Sequence, residues 1–184
     1  MKILKNLVLA GLLSTGVYAE DMYIGVGVMT GSGTQTLKYN GTTYTADYDT
    51  SATSIKFGYI TEDNNRMEFA INKFDLEGTK GGTDTYTGWD FNYLWSFLDG
   101  NLHPYLGLGI GMYTSDKMEG ETESGDTENA TALALVGSIG LVYSINKSVE
   151  IETGYKFHSL AWNYADVDLT DDFSNLYVGA NFKF

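Results

Sequence analysis

Three things are scarce in this chain of 184 residues, and each scarcity excludes a class of protein. Cysteine is absent, which excludes disulfides, thiolate metal sites and a lipid-modified N-terminal cysteine. The 11 lysine and arginine residues are outnumbered by 24 aspartate and glutamate residues, and a formal net charge of -13 argues against a nucleic-acid-binding protein. Apolar residues spaced three and four apart are not sustained anywhere, so long amphipathic helices are not predicted. The length itself allows one domain.

The first 19 residues have the layout of a cleaved secretory signal peptide. Two lysines precede an apolar stretch at 7–13, and small residues lead to a cleavage position after Ala19. The apolar stretch is far shorter than the ~20 residues that span a bilayer as a helix. We therefore predict a signal peptide at residues 1–19 and one mature domain at residues 20–184.

The mature sequence alternates with a period of two in eight segments, which predicts eight β-strands. One face of these segments is bulky and apolar or aromatic, and the other is dominated by glycine, alanine, serine and asparagine with a few charges. The clearest bulky faces are Ile24, Val26 and Val28 in the first segment, Trp89, Phe91, Tyr93, Trp95 and Phe97 in the fourth, and Leu106, Leu108, Ile110 and Met112 in the fifth.

The composition of the two faces favours a membrane barrel over a soluble β-sandwich. A sandwich would expose lysine, glutamate and threonine on its second face, whereas small residues suit a tight interior and large apolar residues suit a lipid-facing exterior. Eight is also an even number, as bacterial barrels require. The predicted fold is all-β, an eight-stranded antiparallel up-and-down transmembrane β-barrel.

The connections between segments alternate in length, which predicts an orientation. Residues 61–65, 98–102 and 146–148 are short turns, whereas residues 31–51, 75–84, 114–129 and 160–172 are long connections. Short periplasmic turns and long extracellular loops are the bacterial outer-membrane arrangement. Within the first long connection, Asn40-Gly41 predicts a type I′ hairpin that extends beyond the membrane. It either offers a strand edge to a partner or is a structural extension without a ligand.

Three stretches resemble the small eight-stranded outer-membrane barrels typified by the OmpA membrane domain and OmpX. They are Tyr23 to Gly27, Pro104 to Gly111, and the C-terminal stretch Leu176 to Phe184. The resemblance implies a monomer in the outer membrane of a Gram-negative bacterium, among lipid and lipopolysaccharide. The terminal aromatic and the apolar residues before it resemble the signal that the outer-membrane assembly machinery reads. That signal would consist of Leu176, Val178, Ala180, Phe182 and Phe184.

Alternation also predicts which charged side chains enter the lumen. Because the bulky residues face outward, the charged residues between them face inward, four basic and four acidic. Eight strands leave room for side chains but not for a wide aqueous pore. We interpret the set as either a plug that pairs with itself, with Lys56–Glu68 and Glu150–Lys183 as pairs, or a narrow gated conduit. The eight residues are Lys56, Arg66, Glu68, Asp90, Glu150, Glu152, Lys156 and Lys183.

Acidic residues gather in two of the long connections. They suit either a solvated, self-repelling surface or a site for divalent cations bridging to lipopolysaccharide phosphates, and their spacing does not match a calcium loop. We favour the solvated surface and predict no metal or cofactor. The residues are Asp116, Glu119, Glu121, Glu123, Asp126 and Glu128 in one connection, and Asp166, Asp168, Asp171 and Asp172 in the other.

An enzyme is the rival class of function. Some eight-stranded outer-membrane barrels modify lipid A, and the deacylases among them use a histidine and a serine separated by one residue near the end of the seventh strand. His158 and Ser159 lie at a similar place, but adjacent strand residues point to opposite faces unless a bulge intervenes. We therefore predict a non-enzymatic, surface-exposed structural protein with a plugged lumen that contributes to adhesion. A narrow conduit and a lipid A-modifying enzyme are the alternatives.

Overall fold

A computed structural model describes residues 21–79, 82–98, 100–121, 127–164 and 167–184 of the protein. The predicted signal peptide at residues 1–19 lies outside this range. Among the described residues, no helix is long and apolar enough to cross a membrane. The strands are β1 Asp21–Tyr39, β2 Thr42–Ile60, β3 Arg66–Gly78, β4 Thr83–Ser96, β5 Leu102–Glu121, β6 Thr127–Ser144, β7 Val149–Tyr164 and β8 Val167–Lys183.

The eight strands close into one antiparallel barrel, as predicted. Each strand pairs with its neighbours in the chain, and β1 also pairs with β8. Following paired residues once round the barrel from Gly25 leads back to β1 at Gln35, ten residues further along. A stagger of this kind tilts the strands by roughly 40° and leaves an interior that side chains can fill. Closure also pairs the backbone groups that an open sheet edge would expose.

The outer wall of the barrel carries many exposed apolar side chains. Val26 and Leu108 are 53% and 59% exposed. Phe91 and Trp95 in the predicted aromatic row are also exposed, whereas Asn92 and Leu94, which alternate with the row, are buried. A large exposed apolar surface of this kind is stable only against lipid. The prediction of an all-β transmembrane barrel with an apolar exterior is confirmed.

The long connections differ from the prediction, because most of their residues continue the strands. β1 and β2 pair as far as Tyr39 opposite Thr42, so that only Asn40 and Gly41 form the turn. Both have positive φ angles, 48° and 76°, as the predicted type I′ turn requires. Residues 31–51 are thus a paired hairpin rather than a loop. Residues 75–84, 114–129 and 160–172 likewise contain strand ends.

The two ends of the barrel are distinguished by their turns. The lower end carries the connections at 61–65, 97–101 and 145–148, and the upper end carries the long hairpins. At the lower end, Thr61 and Asn65 close a turn with a backbone hydrogen bond of 2.8 Å. Asn64 adopts a positive φ of 60°, which asparagine tolerates better than most residues. Both described termini of the chain lie at the lower end.

Candidate functional site in the barrel lumen

Glycines on the inner wall make room for the side chains that fill the lumen. A β-carbon at Gly58 would overlap the ring of Tyr23 on the neighbouring strand. One at Gly109 would overlap the amide of Asn92. Both larger residues are buried. The small residues of one strand therefore accept the large residues of the next, and the interior is packed with side chains.

Four buried side chains form what we call the lower charge network: Lys56, Glu68, Glu152 and Lys156. The Lys56 ammonium group lies 3.1 Å from a carboxylate oxygen of Glu68 and also contacts Glu152. Lys156 reaches the other carboxylate oxygen of Glu68 at 3.3 Å. Two positive and two negative groups are therefore linked in alternation. Such pairing offsets the desolvation of charges that would be costly alone.

Glu152 contacts four different side chains of the lumen. Besides Lys56, it accepts hydrogen bonds from the hydroxyl groups of Tyr105 at 2.7 Å and Tyr177 at 2.5 Å. The side-chain amide of Asn181 donates another at 3.2 Å. Glu152 lies on β7, and its partners come from β2, β5 and β8. One carboxylate thus ties together strands on opposite sides of the barrel.

A second charged group lies at the lower end of the lumen. The guanidinium of Arg66 donates two hydrogen bonds to the carboxylate of Glu150, at 2.7 and 3.1 Å. Lys183 approaches the same carboxylate at 3.2 Å, and the Ser144 hydroxyl donates to it at 3.0 Å. A two-pronged arginine–carboxylate contact is the strongest geometry for such a pair. It joins β3 to β7 across the lower mouth.

Asp90 lies higher in the lumen and is fully buried. It accepts hydrogen bonds from the Tyr113 hydroxyl at 2.7 Å and the Asn72 amide at 2.8 Å. The Nε2 atom of His158 lies 3.3 Å from the Asp90 carboxylate oxygen that Asn72 also contacts. Asp90 is therefore satisfied by groups from β3, β5 and β7.

All eight residues predicted to enter the lumen point inward. Seven are buried, and the side chain of Lys183 is 13% exposed at the lower mouth. The structure brings together Lys56 with Glu68 and Glu150 with Lys183, the two pairs expected from strand adjacency. Contacts between distant strands, such as Lys56 with Glu152, had no signal in the sequence. They depend on the diameter and stagger of the closed barrel.

Aromatic side chains fill the upper half of the lumen, whereas the sequence predicted an inner face dominated by small residues with a few charges. Phe74 packs against Phe173 with ring centroids 5.0 Å apart, and His158 stacks on Phe173 at 4.9 Å. Tyr113 lies 5.8 Å from Phe74. We call these four residues the aromatic layer. Extending the two-residue alternation of β3 beyond Asn72 would have placed Phe74 inside.

Above the aromatic layer lies Asp171, a fully buried carboxylate with no basic partner among the described residues. It accepts hydrogen bonds from the indole of Trp162 at 2.5 Å, the Tyr86 hydroxyl at 3.0 Å and the Gln35 amide at 3.4 Å. Its outward neighbour Asp172 is exposed, so this level lies above the apolar exterior. Burial raises the pKa of the Asp171 carboxyl above its usual range, and hydrogen bonds donated to it offset this only in part.

Replacing Asp171 with asparagine is expected to stabilise the barrel at pH 7. A raised pKa means that the folded state binds the proton more tightly than the unfolded state, so stability falls as pH rises from the ordinary aspartate range through the raised pKa. Asp171→Asn removes this loss and keeps an oxygen that accepts the Trp162 hydrogen bond. The free energy of unfolding at pH 7 should therefore rise by about 1 kcal/mol. Urea unfolding in detergent at pH 4 and pH 7 measures it. The gain should shrink at pH 4, and exposed Asp172→Asn should show neither effect.

His158 and Ser159 point to opposite sides of the barrel wall. His158 is buried in the lumen beside Asp90, whereas Ser159 is exposed on the outside. The ladders of β7 with β6 and β8 run through this position without a register shift. No bulge therefore brings the two side chains to the same face. The histidine therefore cannot activate this serine as a nucleophile.

The predicted acidic connections are only partly described. Glu123, Asp126 and Asp166 lie outside the described residues, as do the side chains of Glu119, Glu121 and Glu128. Of the remainder, Asp171 faces the lumen, while Asp116, Asp168 and Asp172 are exposed. The described part of the chain contains no group of three acidic or histidine side chains placed to hold a metal ion.

Comparison with known proteins rests on solved structures. No protein-family model matches the chain, and no curated protein matches it. Neisserial surface protein A superposes with a TM-score of 0.58 at 15% identity, over 89% of this chain and 97% of that chain. The outer membrane protein OprG from Pseudomonas aeruginosa gives 0.58 at 16% identity, over 92% and 98%.

The chain has the fold of small outer-membrane β-barrels. The fold is also shared with the outer membrane protease OmpT from Escherichia coli, at a TM-score of 0.50 and 7% identity, over 93% of this chain and 99% of that chain. At such identities the likeness concerns the fold alone. It confirms the predicted architecture and assigns no activity, because one barrel fold carries many functions.

Proposed function

We propose that this protein is a surface-exposed structural barrel of the outer membrane of a Gram-negative bacterium, exported through a signal peptide at residues 1–19. The apolar outer wall supports residence in lipid, and the shared fold supports the outer membrane. A closed barrel needs no second copy to satisfy its strand edges, which supports a monomer. Lipid and lipopolysaccharide are then its immediate surroundings.

Mutual pairing of the luminal charges is the observation that carries this proposal. The lower charge network and the Arg66–Glu150–Lys183 group hold each other's charges at contact distance. The aromatic layer lies above them. A conduit needs polar groups left free for its solute, whereas these groups are engaged with one another. The lumen is therefore a plug that ties the strands together.

The C-terminal strand supports assembly by the outer-membrane machinery. Leu176, Val178 and Phe182 are exposed on the outer wall, and Phe184 is exposed at the lower end. Ala180 lies on the same outer face. This strand pairs with β1 and closes the barrel. A partner that holds β8 through its outward residues would leave its inward residues free to pack.

Planar bilayers test the plug against the conduit. The purified mature protein is expected to give no discrete conductance steps, because its luminal charges are paired and its upper lumen is filled by aromatic rings. Steps that disappear in Lys56→Ala or Glu68→Gln, but persist in the exterior variant Lys73→Ala, would establish the conduit instead. Each variant is first checked for the shifted gel migration of a folded barrel.

The geometry of His158 and Ser159 supports a protein without enzymatic activity on lipid A. The two side chains lie on opposite faces of β7, so the histidine cannot take a proton from the serine hydroxyl. Lipid A from cells that express the protein should have the same acyl chains with wild type and with His158→Ala.

Adhesion is a second candidate function, favoured by an unpaired strand edge at the upper end. The described β2–β3 ladder ends at Tyr48 opposite Gly78, whereas β2 continues upward to Thr42. The Asp47 carbonyl oxygen points towards β3 and accepts a hydrogen bond from the backbone N–H of Thr79. Because backbone groups point to alternate sides along a strand, the N–H and carbonyl of Thr45, two residues away, point to the same side. No described residue pairs with Thr45 there. An extended partner segment could add a strand at this edge.

A proline substitution tests this edge. Thr45→Pro removes the backbone N–H that points to the β3 side and leaves the hydrogen bonds between β1 and β2 intact, so the barrel should still fold. Adherence of expressing cells to epithelial monolayers should fall several-fold. Thr45→Ala keeps the N–H and should adhere like wild type. Equal adherence of all three would contradict adhesion through this edge.

A further inference from the structure

Three buried side chains in the lower lumen bring an amine, an amide and a carboxylate together. Two of them, Lys56 on β2 and Asn181 on β8, are both paired with Gly25 on β1 and face inward on either side of it. A β-carbon at Gly25 would overlap both the Cε atom of Lys56 and the Oδ1 atom of Asn181. The glycine therefore leaves the space in which these two side chains meet.

The third side chain is Glu152, and one of its oxygens contacts both of the others. Its Oε2 atom accepts a hydrogen bond of 3.2 Å from the Nδ2 atom of Asn181, and the Lys56 ammonium group contacts the same oxygen. The hydroxyls of Tyr105 and Tyr177 donate to the other oxygen, Oε1. Glu152 is therefore held between the amine and the amide.

Burial changes what these groups can do. Lys56, Glu152 and Asn181 are 3%, 1% and 0% exposed. Charges are costly in such an interior, and transfer of one proton from the Lys56 ammonium group to Glu152 converts the ion pair into a neutral amine and a neutral acid. A desolvated lysine amine is a nucleophile. The Oδ1 atom of Asn181 accepts no hydrogen bond from any described residue, so the amide is bound through its nitrogen.

We propose that Lys56 and Asn181 join in an amide bond, with Glu152 as the proton carrier. The Nζ atom of Lys56 attacks the Cγ atom of Asn181, and the bond from Cγ to Nδ2 breaks. Glu152, protonated by the ammonium group, gives that proton to the leaving nitrogen and takes another from Nζ. Ammonia leaves neutral and Glu152 stays protonated. Glu68 keeps Lys156 as its counter-ion, so the charges that remain in this part of the lumen still balance.

The bond links β2 to β8 across β1, where the first and last strands close the barrel. Contact within the folded lumen brings the two groups together, so the bond forms after folding and not in the unfolded chain. Once formed, it keeps residues 56 and 181 joined when the protein unfolds. The heated protein should therefore migrate faster on gels than a variant that cannot form the bond.

Mass spectrometry of the mature protein, folded in detergent, tests the bond. Wild type should be lighter than its sequence by one ammonia, and a tryptic digest should contain one peptide pair joined through Lys56 and Asn181. Lys56→Arg keeps the positive charge but has no amine to react, and Glu152→Gln keeps hydrogen-bonding groups but cannot carry the proton. Both should have the full mass of their sequences. Exposed Lys73→Arg should lose ammonia like wild type.

A second variant keeps the test independent of these substitutions. Asn181→Asp retains the carbon that is attacked and releases water instead, so it should be lighter than its own sequence by one water. Only variants that migrate as folded barrels on unheated gels are compared. A folded wild type with the full mass of its sequence would overturn the proposal, as would a loss of ammonia that persists in Lys56→Arg, which would come from another asparagine. An equally abundant linked peptide pair in Glu152→Gln would contradict the role of Glu152.

Discussion

Glu152→Ala is expected to lower the free energy of unfolding of the barrel by about 3–5 kcal/mol, the cost of removing one partner from a buried ion pair. The substitution leaves the Lys56 ammonium group with Glu68 as its remaining carboxylate contact. It also deprives the hydroxyls of Tyr105 and Tyr177 of their acceptor. All three groups are buried, so water replaces the lost carboxylate poorly. Urea unfolding in detergent micelles, followed by tryptophan fluorescence, measures the loss.

An exposed ion pair provides the matched control. Lys73 and Asp75 lie 3.9 Å apart with side chains 59% and 57% exposed, so Lys73→Ala should change stability by less than about 1 kcal/mol. Replacing both partners, with Lys56→Met and Glu152→Leu, should cost less than Glu152→Ala alone, because no unpaired charge stays buried. A loss in Glu152→Ala no larger than that in Lys73→Ala would contradict a tightly paired lumen.

Strand number, strand direction and the facing of most side chains could be predicted from the sequence because a β-strand repeats every two residues. The outward position of Val26 and the inward position of Glu68 both follow from that period. Hairpin extensions were harder to predict. Residues 31–39 are rich in glycine, serine and threonine and leave the apolar band, so neither face carries a hydrophobic signal there. Backbone pairing with β8 and β2 holds them as strand.

The luminal contacts were predictable only between neighbouring strands. Register places Lys56 near Glu68, since β2 pairs with β3. The contact between Lys56 and Glu152 crosses the lumen and depends on the curvature of the closed sheet. Phe74 and Phe173 were missed for another reason. Their segments lie beside the long connections, where the alternation was not followed.

Gly58→Val is expected to destabilise the barrel by more than about 3 kcal/mol, because overpacking and loss of a charged hydrogen bond add together. The new β-carbon would occupy the position of the Tyr23 ring, which is buried and donates a hydrogen bond of 3.1 Å to Glu68. The ring has no open space beside it, since Arg66 lies 5.5 Å from its centroid. Tyr23 must therefore leave the lumen or the strands must separate. The folded fraction on unheated gels and urea unfolding both report the effect.

Gly137→Val is the control, because it makes the same change where nothing lies within 4 Å. A β-branched residue suits a strand better than glycine, so this variant should match or slightly exceed the wild type in stability. Combining Gly58→Val with Tyr23→Ala should recover part of the loss, since the small residue at 23 vacates the space that valine needs. If Gly58→Val and Gly137→Val were equally stable, the space at Gly58 would not be filled by Tyr23. If the double variant were no better than Gly58→Val, the strain would come from the backbone and not from that ring.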